Sequence, residues 1–175
     1  MSEIILFVAS SLDGFIADKN GNVSWLDHYQ IKNQDYGYSE FLQGIDIIVM
    51  GSKTFEQLLT FGPWPYGDTK TYVLTKRKLQ APEGAQVLLY SGDLAKFLPS
   101  IKKESKKAVW LVGGAAVVQS FIRLKAIDSI ILSIMPVLLG EGISLFGETG
   151  AEVQLNLMSL KTYHNGVVQL HYSIR

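Results

Sequence analysis

The chain has no cysteine. That excludes disulfide scaffolds, thiolate catalysis and cysteine-ligated zinc, and it fits a cytosolic protein without requiring one. It has no excess of either charge: Lys plus Arg and Asp plus Glu both number 16 across 175 residues. No global basic field therefore exists to hold nucleic acid. Histidine is scarce, and His28, His164 and His171 stand at no metal-ligand spacing, so no metal is expected. Long hydrophobic runs are missing too. The longest apolar region, Ile127 to Leu139, is interrupted by Asp128, Ser129, Ser133 and Pro136, too often to span a bilayer. The start, Met1-Ser2-Glu3 and then the short run Ile4 to Ala9, lacks the basic opening and the length of a secretory signal.

What the chain does have is apolar bulk. At 47% hydrophobic and 18% charged residues it is rich enough for a packed core, and 1–175 reads as one domain. Short continuous apolar runs at Ile4 to Ser10 and Ile45 to Met50 read as buried strands. Thr71 to Leu74, Val87 to Tyr90, Ala108 to Val112 and Ile127 to Val137 read likewise. Helical spacing appears at Tyr36 to Gln43, Lys53 to Leu59, Asp93 to Lys102 and Ala115 to Leu124. Ser11 to Trp25, with Asp13-Gly14 and Asn20-Gly21, reads as a long irregular loop. Near the end Val153, Leu155 and Leu157 alternate, then the phase slips to Met158 and Leu160, which predicts a bulge. Asn165-Gly166 predicts a two-residue hairpin before the alternating run Val168 to Ile174. Strands alternating with helices give an α/β fold with a mostly parallel sheet. The closing antiparallel hairpin makes that sheet mixed.

In such sheets ligands bind beyond the carboxyl ends of the strands. Three strand ends are unusual. Gly51-Ser52-Lys53-Thr54 opens a helix, and reads either as an anion site of free N–H groups, hydroxyls and an ammonium, or as an ordinary glycine turn with an N-cap. Thr75-Lys76-Arg77-Lys78 follows Leu74 and suits a ribose phosphate, or is a solvated charged turn. Gly113-Gly114 follows Val112 and precedes Ala115-Ala116; it admits a pyrophosphate to the main chain, or serves tight strand–helix packing. Phe15, Ile16, Trp25, Phe41, Leu42, Leu58 and Trp64 either wall a pocket for a flat heterocycle or belong to the core. Asp27 is the candidate for orienting substrate or relaying a proton. Asp13, before Gly14, reads as a turn-forming carboxylate or a catalytic one.

The segments ASSLDGFIA, Trp25-Leu26, IVMGSKTFE, YVLTK, WLVGGAAVVQSF and PVLLGEGISLF resemble, in that order over nearly the whole chain, the dihydrofolate reductase fold. They are more closely similar to the RibD C-terminal (riboflavin-biosynthesis reductase-like) family. The resemblance implies a mixed sheet of about eight strands flanked by helices, with NADPH as hydride donor. It implies a small heterocyclic or ribosylamino-pyrimidine-type acceptor, as for 5-amino-6-(5-phosphoribosylamino)uracil reductase or dihydrofolate reductase, and a homodimer. It sets Gly51 to Thr54 and Leu74 to Arg77 against the adenosine half and its 2′-phosphate. Val112 to Val117 would lie at the pyrophosphate, with a cis Gly113-Gly114 bond, and Ala9, Ile16, Gly142 and Ser144 near the nicotinamide. A nucleotide-binding module without reductase activity is the alternative.

Overall fold

The computed structural model describes residues 1–150 and 152–175. In chain order its elements are β1 (Ile4–Ser11), β2 (Phe15–Ala17), a 3-10 turn (Ser24–Tyr29), α1 (Tyr38–Gln43), β3 (Ile45–Gly51), α2 (Ser52–Thr60), β4 (Lys70–Leu74) and β5 (Val87–Tyr90). There follow α3 (Leu94–Glu104), β6 (Ala108–Gly113), α4 (Ala115–Arg123), β7 (Ser129–Met135), β8 (Ile143–Ser144), β9 (Leu155–Thr162) and β10 (Val168–Ile174). Eight strands form one sheet in the order β5-β4-β3-β6-β1-β7-β10-β9. The pairs from β5 through β7 are all parallel, whereas β10 runs antiparallel to both β7 and β9. This is the dihydrofolate reductase-like mixed sheet that the sequence predicts.

The apolar runs of β1, β3 and β6 are continuous because both faces of the sheet are covered. Successive side chains of β3 point to opposite faces. Ile47 and Val49 join Leu6, Leu111 and the inner faces of α3 and α4, including Phe97, Ile101 and Phe121. Ile48 and Met50 join Trp110, Val73 and Phe55 of α2 on the other side. Phe121 is fully buried, and truncating such a side chain to alanine costs about 3–5 kcal/mol.

Several local expectations are corrected. Residues 11–25 are not one irregular loop: Phe15–Ala17 pairs antiparallel with Ile143–Ser144 as a separate two-stranded sheet. The first helix begins at Tyr38, not Tyr36, because Tyr36 (φ 55°) and Gly37 (φ 82°) are left-handed. The seventh strand is Ser129–Met135, shorter than Ile127 to Val137. The last turn is centred on His164-Asn165, not on Asn165-Gly166. Gly166 N–H donates to Tyr163 O (2.9 Å), Tyr163 N–H donates to Val167 O (2.9 Å), and Gly166 is left-handed at φ 84°. That is a three-residue hairpin loop with its glycine at the bulge position. The expected bulge in the preceding strand is present: Tyr172 pairs with Leu157 and His171 with Ser159, leaving Met158 as the extra residue.

Candidate active site

Two helices begin at the carboxyl ends of neighbouring strands without a side-chain cap. α2 follows β3 with Gly51 at its cap position, and α4 follows β6 with Gly114 there. Neither glycine can satisfy the orphan N–H groups of the first turn. α3 is built differently, since the Asp93 carboxylate accepts from Ala95 N–H at 2.8 Å. The two uncapped starts face each other closely. A Cβ on Gly51 would lie 3.0 Å from Val117 Cγ2, and one on Gly114 would lie 3.3 Å from Thr54 Oγ1. Gly113, at φ 125°, lies in backbone space that favours glycine, and the Gly113-Gly114 bond is cis as expected.

Between these helix starts opens a cavity of about 760 Å³, within the range of small-molecule sites. Of the residues expected to bind cofactor, it is lined by Ile16, Gly51, Ser52, Lys53, Thr54, Leu74, Gly114, Ala115, Ala116 and Val117. The strand tips of β3, β4 and β6 thus converge on one space. The same residues carry the partial positive charge of two helix dipoles, which favours an anion there. Ile16, Ala17 and Ile143 of the two-stranded sheet supply apolar walls. Gly142 makes that pairing possible: a Cβ there would sit 2.2 Å from the Ala17 carbonyl oxygen.

The remaining expected residues, the substrate candidates Phe15, Trp25, Phe41, Leu58 and Trp64 among them, do not line this cavity. Thr75 Oγ1 accepts from Arg77 N–H (3.0 Å), which fixes the turn after β4. Lys76 is exposed, and Arg77 is engaged by Glu56 of α2. Val112 packs against the core cluster around Trp110, and Ala9 lies within β1 opposite Ser133. Phe15 pairs with Ser144. Phe41 stacks on Phe7 with ring centroids 4.5 Å apart, while Leu58 and Trp64 pack in the same cluster. The indole N–H groups of Trp25 and Trp64 are buried without a partner. Asp27 is exposed, accepts from Gln30 Nε2 at 3.0 Å and does not line the cavity.

Sequence reasoning missed Asn20, Gly21, Asn22, Val23, Glu56, Gln57 and Thr60, all of which line the cavity. Asn20-Gly21 reads only as a turn. Its link to the site is tertiary, through Gln57 Nε2 donating to Gly21 O at 2.8 Å. Asp13 is structural: its carboxylate accepts from Ser11 Oγ (2.6 Å), Leu139 N–H (3.1 Å) and Gly140 N–H (2.8 Å). These contacts, Ser11 first, hold its acid below the usual carboxylate range. Among the described residues no group of three His, Cys, Asp or Glu side chains could hold a metal ion. No helix among them is long and apolar enough to cross a membrane.

The sequence and the fold recur in known proteins. The uncharacterised Bacillus subtilis (strain 168) protein YwjB is 37% identical over 169 residues, covering 96% of this chain and 95% of its own length. A Shewanella sp. PV-4 protein named as a candidate for riboflavin biosynthesis superposes with a TM-score of 0.86 at 28% identity, covering 99% of both chains. Dihydrofolate reductase from Enterococcus faecalis, solved with NADP(H), shares the fold at a TM-score of 0.70 and 19% identity, over 99% of this chain and 96% of its own. The sequence model of the RibD C-terminal domain matches residues 2–169. The reductase-type fold, the paired helix starts and this match over almost the whole length agree, and the chain belongs to the RibD C-terminal domain family.

Proposed function

We propose that the chain, acting as one domain over residues 1–175, is an NADPH-dependent reductase of a small heterocycle, of the ribosylamino-pyrimidine type. The observation that carries this reading is the meeting of two uncapped helix N-termini across one cavity at the carboxyl ends of β3, β4 and β6. Side chains at Gly51 and Gly114 would crowd Val117 and Thr54, so both glycines let the two helix starts approach each other across the cavity. NADPH, when bound, supplies a hydride. The first-turn N–H groups of α2 and α4 hold phosphate oxygens, with Lys53, Thr75 and Lys76 offering further donors. Ile16, Ala17 and Ile143 exclude water where the hydride would pass. Such a transfer needs alignment more than a reactive side chain.

For the acceptor, Trp25 and Trp64 are proposed as aromatic walls. Phe15, Phe41 and Leu58 are the proposed apolar neighbours, and Asp27 is the carboxylate proposed for the proton. We further propose a cytoplasmic homodimer. The exposed place of Asp27, outside the cavity lining, favours a second reading: a nucleotide-binding module that reduces nothing.

Fluorescence titration with NADPH tests the site. Micromolar saturable binding is expected, and absence of binding refutes both readings. Oxidation of NADPH in the presence of a panel of pyrimidines and pterins then separates enzyme from binder. Asp27→Asn lowers kcat by about 10²-fold or more if this carboxylate relays the proton. An unchanged kcat removes it from the chemistry.

A further inference from the structure

At the rim where α2 meets the turn after β4 sits an ion pair whose two members have opposite preferences. Arg77 Nη1 donates to Glu56 Oε1 at 3.0 Å and Arg77 Nη2 to Glu56 Oε2 at 2.5 Å, a fork-to-fork contact. Glu56 itself lines the cavity, between Thr54 and Gln57, which do so too. Carboxylate and phosphate both match the planar guanidinium fork, so one cannot hold it fully while the other does. Carboxylates beside a dinucleotide ribose accept from its 2′-hydroxyl, whereas arginines receive a 2′-phosphate. Here one pair contains both.

We propose that Glu56 is the residue that sets which nicotinamide dinucleotide the cavity prefers. Its carboxylate occupies Arg77, which weakens the grip on a ribose 2′-phosphate, and it offers an acceptor to a ribose that carries none. This deepens, and rests on, the dinucleotide reading above. The Arg77 guanidinium keeps the Glu56 acid below its ordinary range, so the carboxylate is charged throughout neutral pH. The side chains of Arg77 and Glu56 are 55% and 43% exposed, and an ion pair this wet is weak enough for a phosphate dianion to displace the carboxylate. Displacement leaves Glu56 as an unpaired negative charge beside the incoming anion, which narrows the preference for NADPH. Lys53, Lys76 and Lys78 make no ion pair among the described residues and supply the remaining attraction.

The test is a fluorescence titration of the whole chain with NADPH and with NADH. In Glu56→Gln the NADPH Kd falls roughly tenfold and the NADH Kd rises two- to threefold, because Arg77 is released and the ribose acceptor is weakened. Glu56→Asp, which keeps the charge but shortens its reach, falls between. Arg77→Gln raises the NADPH Kd about tenfold and leaves NADH nearly unchanged. Thermal melts confirm that each exposed substitution leaves the fold intact. Wild type binding NADPH with the same NADPH/NADH ratio in Glu56→Gln overturns this inference and leaves the proposed function standing. Wild type binding neither dinucleotide overturns both.

Discussion

Gly142 occupies a position that only glycine fits. Its φ is 152°, and an added Cβ would meet backbone, the Ala17 carbonyl oxygen at 2.2 Å, rather than a side-chain tip that can move aside. Gly142→Ala therefore has to break the pairing of Ala17 with Ile143. It is expected to cost about 2 kcal/mol in urea denaturation and to loosen NADPH binding, since Ile16 and Ile143 are displaced together. A loss below about 0.5 kcal/mol would show that this strand pair yields freely. Asp13 acts on the same loop through charge. Folding lowers its acid from the ordinary 3.8, with the Ser11 hydroxyl as first cause, so the unfolded chain binds more protons in acid. Its stabilising effect is present above about pH 4 and fades as the pH falls through the depressed folded value. The stability gap between wild type and Asp13→Asn should accordingly be open at pH 7 and close in strong acid. A gap independent of pH would assign the clamp to shape rather than charge.

Among the elements, α2 and α4 differ from α3 in one respect that matters: α3 carries its own carboxylate cap and they carry glycine. A negative charge in the first turn of α4 should thus have two opposite effects. Ala116 is exposed and is the second residue of that helix. Ala116→Asp is expected to stabilise the fold by about 0.5 kcal/mol through the helix dipole while weakening NADPH at least tenfold by repelling its phosphates. Urea midpoints and fluorescence titrations on one sample read both. Weaker binding with lower stability would point instead to a damaged helix. The same elements show why much of the site is legible in the sequence. β3 and β6 are buried on both faces, so their apolar runs end sharply, and the glycines after them stand out at Gly51 and Gly113-Gly114. β2 and β8 escape such a reading because strands of three and two residues carry no period. They exist only through each other, across more than a hundred positions. Glu56 is hidden for a related reason. Within α2 it is one polar residue on a helical turn, and its partner Arg77 lies beyond β4. Neither the Gln57–Gly21 contact nor the burial of the Trp25 indole nitrogen follows from local spacing.

On the scale of the whole molecule, the sheet ends unequally. β5, one edge, has four residues; β9, the other, has eight. Lys161 is the only charged residue in β9, while Leu157, Met158 and Leu160 are 54%, 62% and 56% exposed. A long apolar edge with an open row of N–H and C=O groups is a template for another strand, and natural proteins cover or charge such edges. Self-pairing of β9 with β9 of a second copy about a two-fold axis covers it with the one partner always present. The proposed homodimer is therefore predicted to form across this strand rather than across β5. Wild type should run as a dimer in size-exclusion chromatography with light scattering at tens of micromolar. Leu157→Lys combined with Leu160→Lys should run as a monomer with an unchanged circular dichroism spectrum, because both side chains already face solvent in the single chain. High salt should not dissociate the wild-type dimer, since apolar area and main-chain hydrogen bonds hold it rather than ion pairs. A wild-type monomer, or a double variant that stays dimeric, would move the contact away from β9 and leave that edge to be explained by some other partner.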